Sequence, residues 1–183
     1  MAFPAVETLT ELIRPLAGAR GMDVENVSTT KAGKKSQVVV ALDSDSRPTL
    51  DELEVMSQEI GELFDAKEDA GELNFGAGYT LEVTTPGVGL PLTQPRHWRR
   101  NHGRLVVMGE RTVRVGALDE TETHVVLVEA GAKDPRVTIE VVSDLPHAVV
   151  EVEFNNPPET ESRLVNMTFE EAREVASNGE EDK

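Results

Sequence analysis

The sequence predicts an α+β protein built as two modules: an N-terminal two-layer α/β domain in the order α-β-β-α-β, then a small closed β-barrel, with an acidic tail behind it. Three observations carry the prediction. Two stretches before residue 70 repeat apolar side chains at helical spacing, with β-branched runs between and after them. A stretch dense in Pro and Gly then breaks the pattern at residues 85–92. Beyond it, five short strand-like runs succeed one another with turn residues between them and no helical repeat.

Val6, Leu9, Ile13 and Leu16 stand three and four residues apart, which places them on one helical face. Pro4 suits the first turn of that helix. Pro15 is expected to kink or stop it, because proline has no N–H to donate and crowds the preceding turn. Residues 22–30 alternate and residues 37–42 (QVVVAL) are β-branched and apolar; with Lys31-Ala32-Gly33-Lys34-Lys35 between them they read as a hairpin with a basic tip. Thr49-x-x-Glu52 has the form of a capping box and opens a second helix. Leu53, Met56, Ile60, Leu63 and Phe64 form its apolar stripe, while Asp51, Glu52, Glu54, Glu59 and Glu62 make the outer face acidic. Residues 79–84 alternate as a third strand, and both helices are expected on one face of this small sheet. The first domain is therefore assigned to residues 1–85. Residues 86–95 are assigned as a linker, with Thr85, Pro86, Gly87, Gly89 and Pro91 as the hinge.

The second domain, residues 96–154, offers strands near 104–108, 112–118, 124–129, 136–141 and 148–154. Closure into a barrel would remove the exposed edges of so short a set. From residue 155 the chain carries Pro157-Pro158 and many acids. Residues 155–183 are expected to be mostly disordered, with 164–176 able to become helical on a partner.

Composition narrows the function. The net charge is −16, which opposes non-specific binding to nucleic acid. It is unevenly spread: residues 1–85 carry 7 basic and 16 acidic side chains, residues 86–153 carry 8 and 10, and residues 154–183 carry 3 and 8. The two ends thus suit a basic protein partner, and the middle tolerates a phosphate backbone. There is no cysteine, which excludes disulfides and thiolate metal sites and fits a reducing cytoplasm. No run approaches the about 20 apolar residues that span a bilayer, and the N-terminus has no secretory pattern.

The motifs point to binding rather than chemistry. Ala32-Gly33-Lys34-Lys35-Ser36 faintly resembles a phosphate loop, but the first glycine is missing and a strand follows where a helix is required. His97, His102, His124 and His147 show no metal-ligand spacing, and no metal is expected. No serine elbow or paired carboxylate stands out, so no catalytic residue is assigned. The one concentration of positive charge is residues 96–104 (RHWRRNHGR). Arg96, Arg99, Arg100 and Arg104 there can grip phosphate, as can Lys34 and Lys35 at the hairpin tip. The plainer reading of the same run has Trp98 plugging the barrel while the arginines pair with neighbouring acids; the two readings are compatible.

Residues 79–92 (YTLEVTTPGVGLPL), followed by Pro95-Arg96-His97-Trp98 and Asn101-His102-Gly103, resemble the signature of the RimP ribosome maturation factors. Residues 38–43 and Thr49–Ser57 also resemble that family's strand and capped helix. The chain departs from the pattern at Gly89-Leu90, where the family carries Asp-Arg, and at Trp98, where it usually carries Phe. The resemblance implies an SH3-like or Sm-like barrel for the second domain. It implies association with the free 30S subunit and help with its late maturation, without enzymatic activity or cofactor. It also implies a basic small-subunit ribosomal protein as partner. The charge pattern assigns that partner to the acidic face of Asp51, Glu52, Glu54, Glu59 and Glu62, and the arginine cluster makes 16S rRNA a further expected contact. The chain is expected to work as a cytoplasmic monomer away from membranes. The competing reading is an SH3-like adaptor that binds a peptide and has no ribosomal role.

Overall fold

Residues 2–32 and 34–181 are described by the computed structural model, and the chain divides into two compact units between Pro86 and Gly87. In the first, helix α1 (Val6–Ala19) leads into the antiparallel hairpin β1 (Asp23–Ala32) and β2 (Lys35–Asp43). Helix α2 (Leu50–Asp69) follows, then β3 (Tyr79–Thr84), which pairs parallel with β2. The sheet order is β1-β2-β3. A parallel neighbour needs a crossover connection, and α2 supplies it.

One core joins the layers. Leu9, Ile13 and Ala17 of α1 and Leu53, Met56, Ile60 and Phe64 of α2 meet Val27, Val38, Val40 and Leu42 of the sheet, so both helices lie on the same face. Each fully buried Leu, Ile or Phe contributes about 1.5–3 kcal/mol. Phe75 joins them, with its ring 4.2 Å from Tyr79 and 5.6 Å edge-on from Phe3. The capping box forms: the Glu52 amide donates to Thr49 Oγ1 at 3.1 Å and the Thr49 amide donates to Glu52 Oε2 at 3.0 Å, which is worth about 1 kcal/mol. Pro15 does not stop α1, which continues to Ala19. The helix forgoes one backbone bond there, and the burial of Ile13 and Ala17 on either side of it outweighs the loss. Gly33 lies outside the described residues, and so does part of the loop that resembles a phosphate cradle; Lys34 and Lys35 are exposed.

In the second unit a short helix α3 (Pro95–Arg100) precedes β4 (Leu105–Met108), β5 (Arg111–Leu118), β6 (His124–Glu129) and β7 (Val137–Val141). A 3-10 turn (Val142–Asp144) then leads to β8 (Ala148–Val150). The sheet is antiparallel with the order β7-β6-β5-β4-β8. The expected closed barrel is corrected here. β7 and β8 are the two edges, and no ladder joins them among the described residues. β8 has only three residues, and α3 covers the core instead. Its Trp98, 1% exposed, packs on Val106, Met108, Val113, Val115, Val125, Leu127 and Ala148. Residues 91–95 are not a free linker throughout: Leu92 packs on this core and its amide donates to the Ala148 carbonyl at 2.9 Å.

For residues 155–181 the expected disorder is corrected as well; 182 and 183 lie outside the described residues. Helices α4 (Glu159–Val165) and α5 (Phe169–Glu181) cover the other face of the sheet. Their Leu164, Val165 and Ala172, with Met167, Phe169 and Ala176 beside them, pack on Val126, Val128, Val137 and Ile139. The cause lies in β6. Val125, Val126, Leu127 and Val128 are all fully buried, and successive strand residues point to opposite faces. A strand apolar on both sides needs cover on both sides. A capping box also starts α5: Thr168 Oγ1 accepts from the Glu171 amide at 3.2 Å, and Glu171 accepts from the Thr168 amide at 2.8 Å. The ladder between β5 and β6 is irregular between Val115 and Leu118. A Cβ on Gly116 there would lie 2.9 Å from Val126 Cβ, so only glycine allows the approach.

Candidate functional site

The first candidate surface is the outside of α2. Leu53, Met56, Ile60 and Phe64 fix the buried side of the helix, and Asp51, Glu54 and Glu62 stand on the opposite side, exposed. Asp65 and Asp69 extend the same row, which leaves an acidic ridge along the helix. The acidic face expected from the sequence ends at Glu62, and the length of the helix to Asp69 adds these two acids to it. Glu52 and Glu59 sit differently. Glu52 is spent on the cap. Glu59 lies on the flank and accepts from Arg20 Nε at 3.1 Å and Nη2 at 2.5 Å. That hydrogen bond lowers the Glu59 pKa and raises that of Arg20. The ridge proper is thus Asp51, Glu54, Glu62, Asp65 and Asp69.

The second surface surrounds α3. The helix turns Trp98 inward and carries Arg96, Arg99 and Arg100 on its remaining sides. Arg99 pairs with Glu122 of the turn before β6, and Arg96 and Arg100 are also engaged. Arg104 follows in the turn, half-exposed, with no side-chain ion pair among the described residues. His97 is part of the helix start: its Nδ1 accepts from the amides of Thr93 and Gln94 at 3.0 and 3.1 Å. Gly103 bends the chain into β4 with φ +82°, a conformation that favours glycine, and its amide donates to Val115 O at 2.7 Å. Pro91, Leu92, Pro95, Trp98, Leu145 and His147 line a cleft of about 490 Å³ beside this helix.

His102 and His124 are structural. His102 Nε2 lies 2.8 Å from the Val165 carbonyl, and His124 Nδ1 lies 3.1 Å from Asp119. Asp119 also accepts the amides of Thr123 and His124, which hold its carboxyl down at a pKa of about 2, the His124 amide contributing most. Among the described residues no group of His and acids could hold a metal ion. No helix there is long and apolar enough to cross a membrane.

The residues expected as a hinge bear no backbone demand for glycine. Thr85, Gly87 and Gly89 are exposed, Pro86 and Pro91 half-buried. Neither Gly87 nor Gly89 has a positive φ, and a Cβ on either would meet nothing within 4 Å. The acid that the RimP pattern carries at residue 89 would fit there.

Arg114, Glu153 and Glu161 form a site that the sequence reading missed. Arg114, 1% exposed, donates to Glu153 through Nη1 and Nη2, both at 2.8 Å, to Glu161 through Nε at 2.9 Å, and to the Gly103 carbonyl at 2.9 Å. Glu161 is equally buried and accepts the Gly131 amide at 2.8 Å. The guanidinium's hydrogen bonds hold Glu153 below the usual carboxylate range. Arg114 alternates with Val113 and Val115, so a two-faced β6 implies a covered, charged position that needs carboxylates.

Comparison with known proteins adds the lineage. Residues 12–89 match the family model described as the RimP N-terminal domain. The chain is 50% identical to the Corynebacterium aurimucosum protein named Ribosome maturation factor RimP, over 99% of this chain and 100% of that one. It is 49% identical to the protein of that name from Corynebacterium diphtheriae, over 100% of both chains. It is 43% identical to the one from Corynebacterium kroppenstedtii, over 93% of this chain and 99% of that one. With half its residues shared across its whole length, the chain belongs to the RimP family of ribosome maturation factors.

Proposed function

We propose that the protein binds the free 30S subunit and assists its late assembly by engaging a basic small-subunit ribosomal protein. The observation that carries this reading is the 50% identity, over 99% of the chain, to a protein named a ribosome maturation factor. The acidic ridge of α2 supports the choice of a basic protein. Exposed carboxylates in a row attract Lys- and Arg-rich surface and repel phosphate. Asp51, Glu54 and Glu62, with the flanking Glu52 and Glu59, would shield that surface until rRNA competes for it. Arg104, with Arg96, Arg99 and Arg100 near it, and Lys34 and Lys35 on the first unit, would touch the subunit's RNA. Residues 85–91 serve as the hinge. The strand order of the second unit, with its 3-10 turn before the last strand, supports an SH3-like ancestry with open edges. On this reading the protein acts as a cytoplasmic monomer, makes no bonds and uses no cofactor.

The test is charge reversal. Asp51→Lys, Glu54→Lys and Glu62→Lys together are expected to weaken association with purified 30S particles about tenfold at low salt while leaving the fold intact. Unchanged association of the folded triple variant would remove the ridge from the mechanism. A second reading, a peptide-binding adaptor, is favoured by the proline-lined cleft beside Trp98. It predicts peptide binding with no co-migration with ribosomal particles.

A further inference from the structure

Residues 151–158 run from the last strand to α4 as an exposed segment, and Phe154 stands at 93% exposure within it. Among the described residues no other large apolar side chain is as exposed; Val152 beside it is 52% exposed. The segment is fastened at both ends. On one side the Glu151 amide donates to the Leu105 carbonyl at 2.9 Å, and Glu153 takes two hydrogen bonds from Arg114. On the other side Glu161 takes a third from the same arginine. Pro157 and Pro158 stiffen what lies between. The anchored ends and the two prolines narrow the paths of the backbone that carries Phe154, which lowers the ordering entropy that binding requires.

The charge around the ring identifies what it meets. No lysine or arginine stands between Arg136 and Arg163, while six acids do. Glu140 is paired with Arg111, and Glu153 and Glu161 with Arg114. Glu151 and Glu159, both exposed, flank Phe154 in the chain. We propose that Phe154 is an anchor that enters an apolar pocket on a basic protein surface, with Glu151 and Glu159 guiding the approach. This inference rests on the reading that the partner is a basic ribosomal protein, and it adds a contact on the second unit to the ridge on the first.

The full-length chain, Phe154→Ala and Phe154→Trp would be compared by co-sedimentation with purified 30S subunits and with protein-free 16S rRNA. Expected is binding of the unaltered chain to subunits, about tenfold weaker binding of the alanine variant at an unchanged thermal midpoint, and retained binding of the tryptophan variant. Equal binding by the alanine variant would overturn the anchor and leave the ribosomal reading standing. Failure of the unaltered chain to sediment with subunits would sink both. A lowered midpoint in the alanine variant would make Phe154 a packing residue and overturn the proposal. The same would follow from Phe154-dependent binding to bare rRNA, which would mean base stacking, or from Phe154-dependent dimers in sedimentation equilibrium.

Discussion

Arg114 donates to three carboxylate oxygens and a carbonyl while almost entirely removed from water. Such a group tolerates no loss of a partner, since the remaining charge would be buried and unpaired. Arg114→Met is therefore expected to destabilise the protein by about 3–5 kcal/mol in chemical denaturation, because it strands Glu161 in the interior. The pH dependence has a definite sign. Glu153 is held below the ordinary carboxylate range by Arg114, so its contribution is complete above the unfolded value of about 4.3 and disappears as pH falls through the folded one. In Arg114→Met that acid-labile portion is expected to be missing. The sequence placed Glu52 in the cap from its spacing to Thr49, and the plainer of its two readings of residues 96–104 put Trp98 in the core. It did not place Arg114, because a lone arginine in a strand reads as solvated until something is known to cover its face.

At the scale of elements, the signals that were legible are local and those that were not depend on distant partners. Thr49 and Glu52 cap α2 three residues apart, and the apolar stripe that follows needs no tertiary knowledge. The six residues of α3, PRHWRR, have no apolar repeat, and only Trp98's burial makes them a helix worth forming. Helices α4 and α5 carry an acidic surface that reads as disorder, yet Thr168 and Glu171 repeat the capping arrangement of α2. The unbroken apolar run of β6 already requires a second layer. Deleting residues 156–183 is accordingly expected to lower the thermal midpoint substantially, because Val126, Val128 and Val137 lose their cover and Arg114 loses Glu161. A midpoint within a degree of the full chain's would return these residues to the role of a free tail.

At the scale of the molecule, the fold class, the order of the first unit's elements and the run of strands in the second follow from the change of hydrophobic period at the Pro/Gly stretch. The open edges of the second sheet do not, since closure depends on whether β7 and β8 meet in space. The charge map places acids on α2 of the first unit and around Phe154 of the second, with arginines gathered near α3. That distribution suits a ribonucleoprotein whose protein and RNA surfaces carry opposite signs. Sedimentation of cell extract through a density gradient, followed by detection of this chain, tests the claim most directly. The chain is expected to travel with free 30S subunits and to leave them when salt is raised. Recovery only at the top of the gradient at low salt, or only with complete ribosomes, would contradict it.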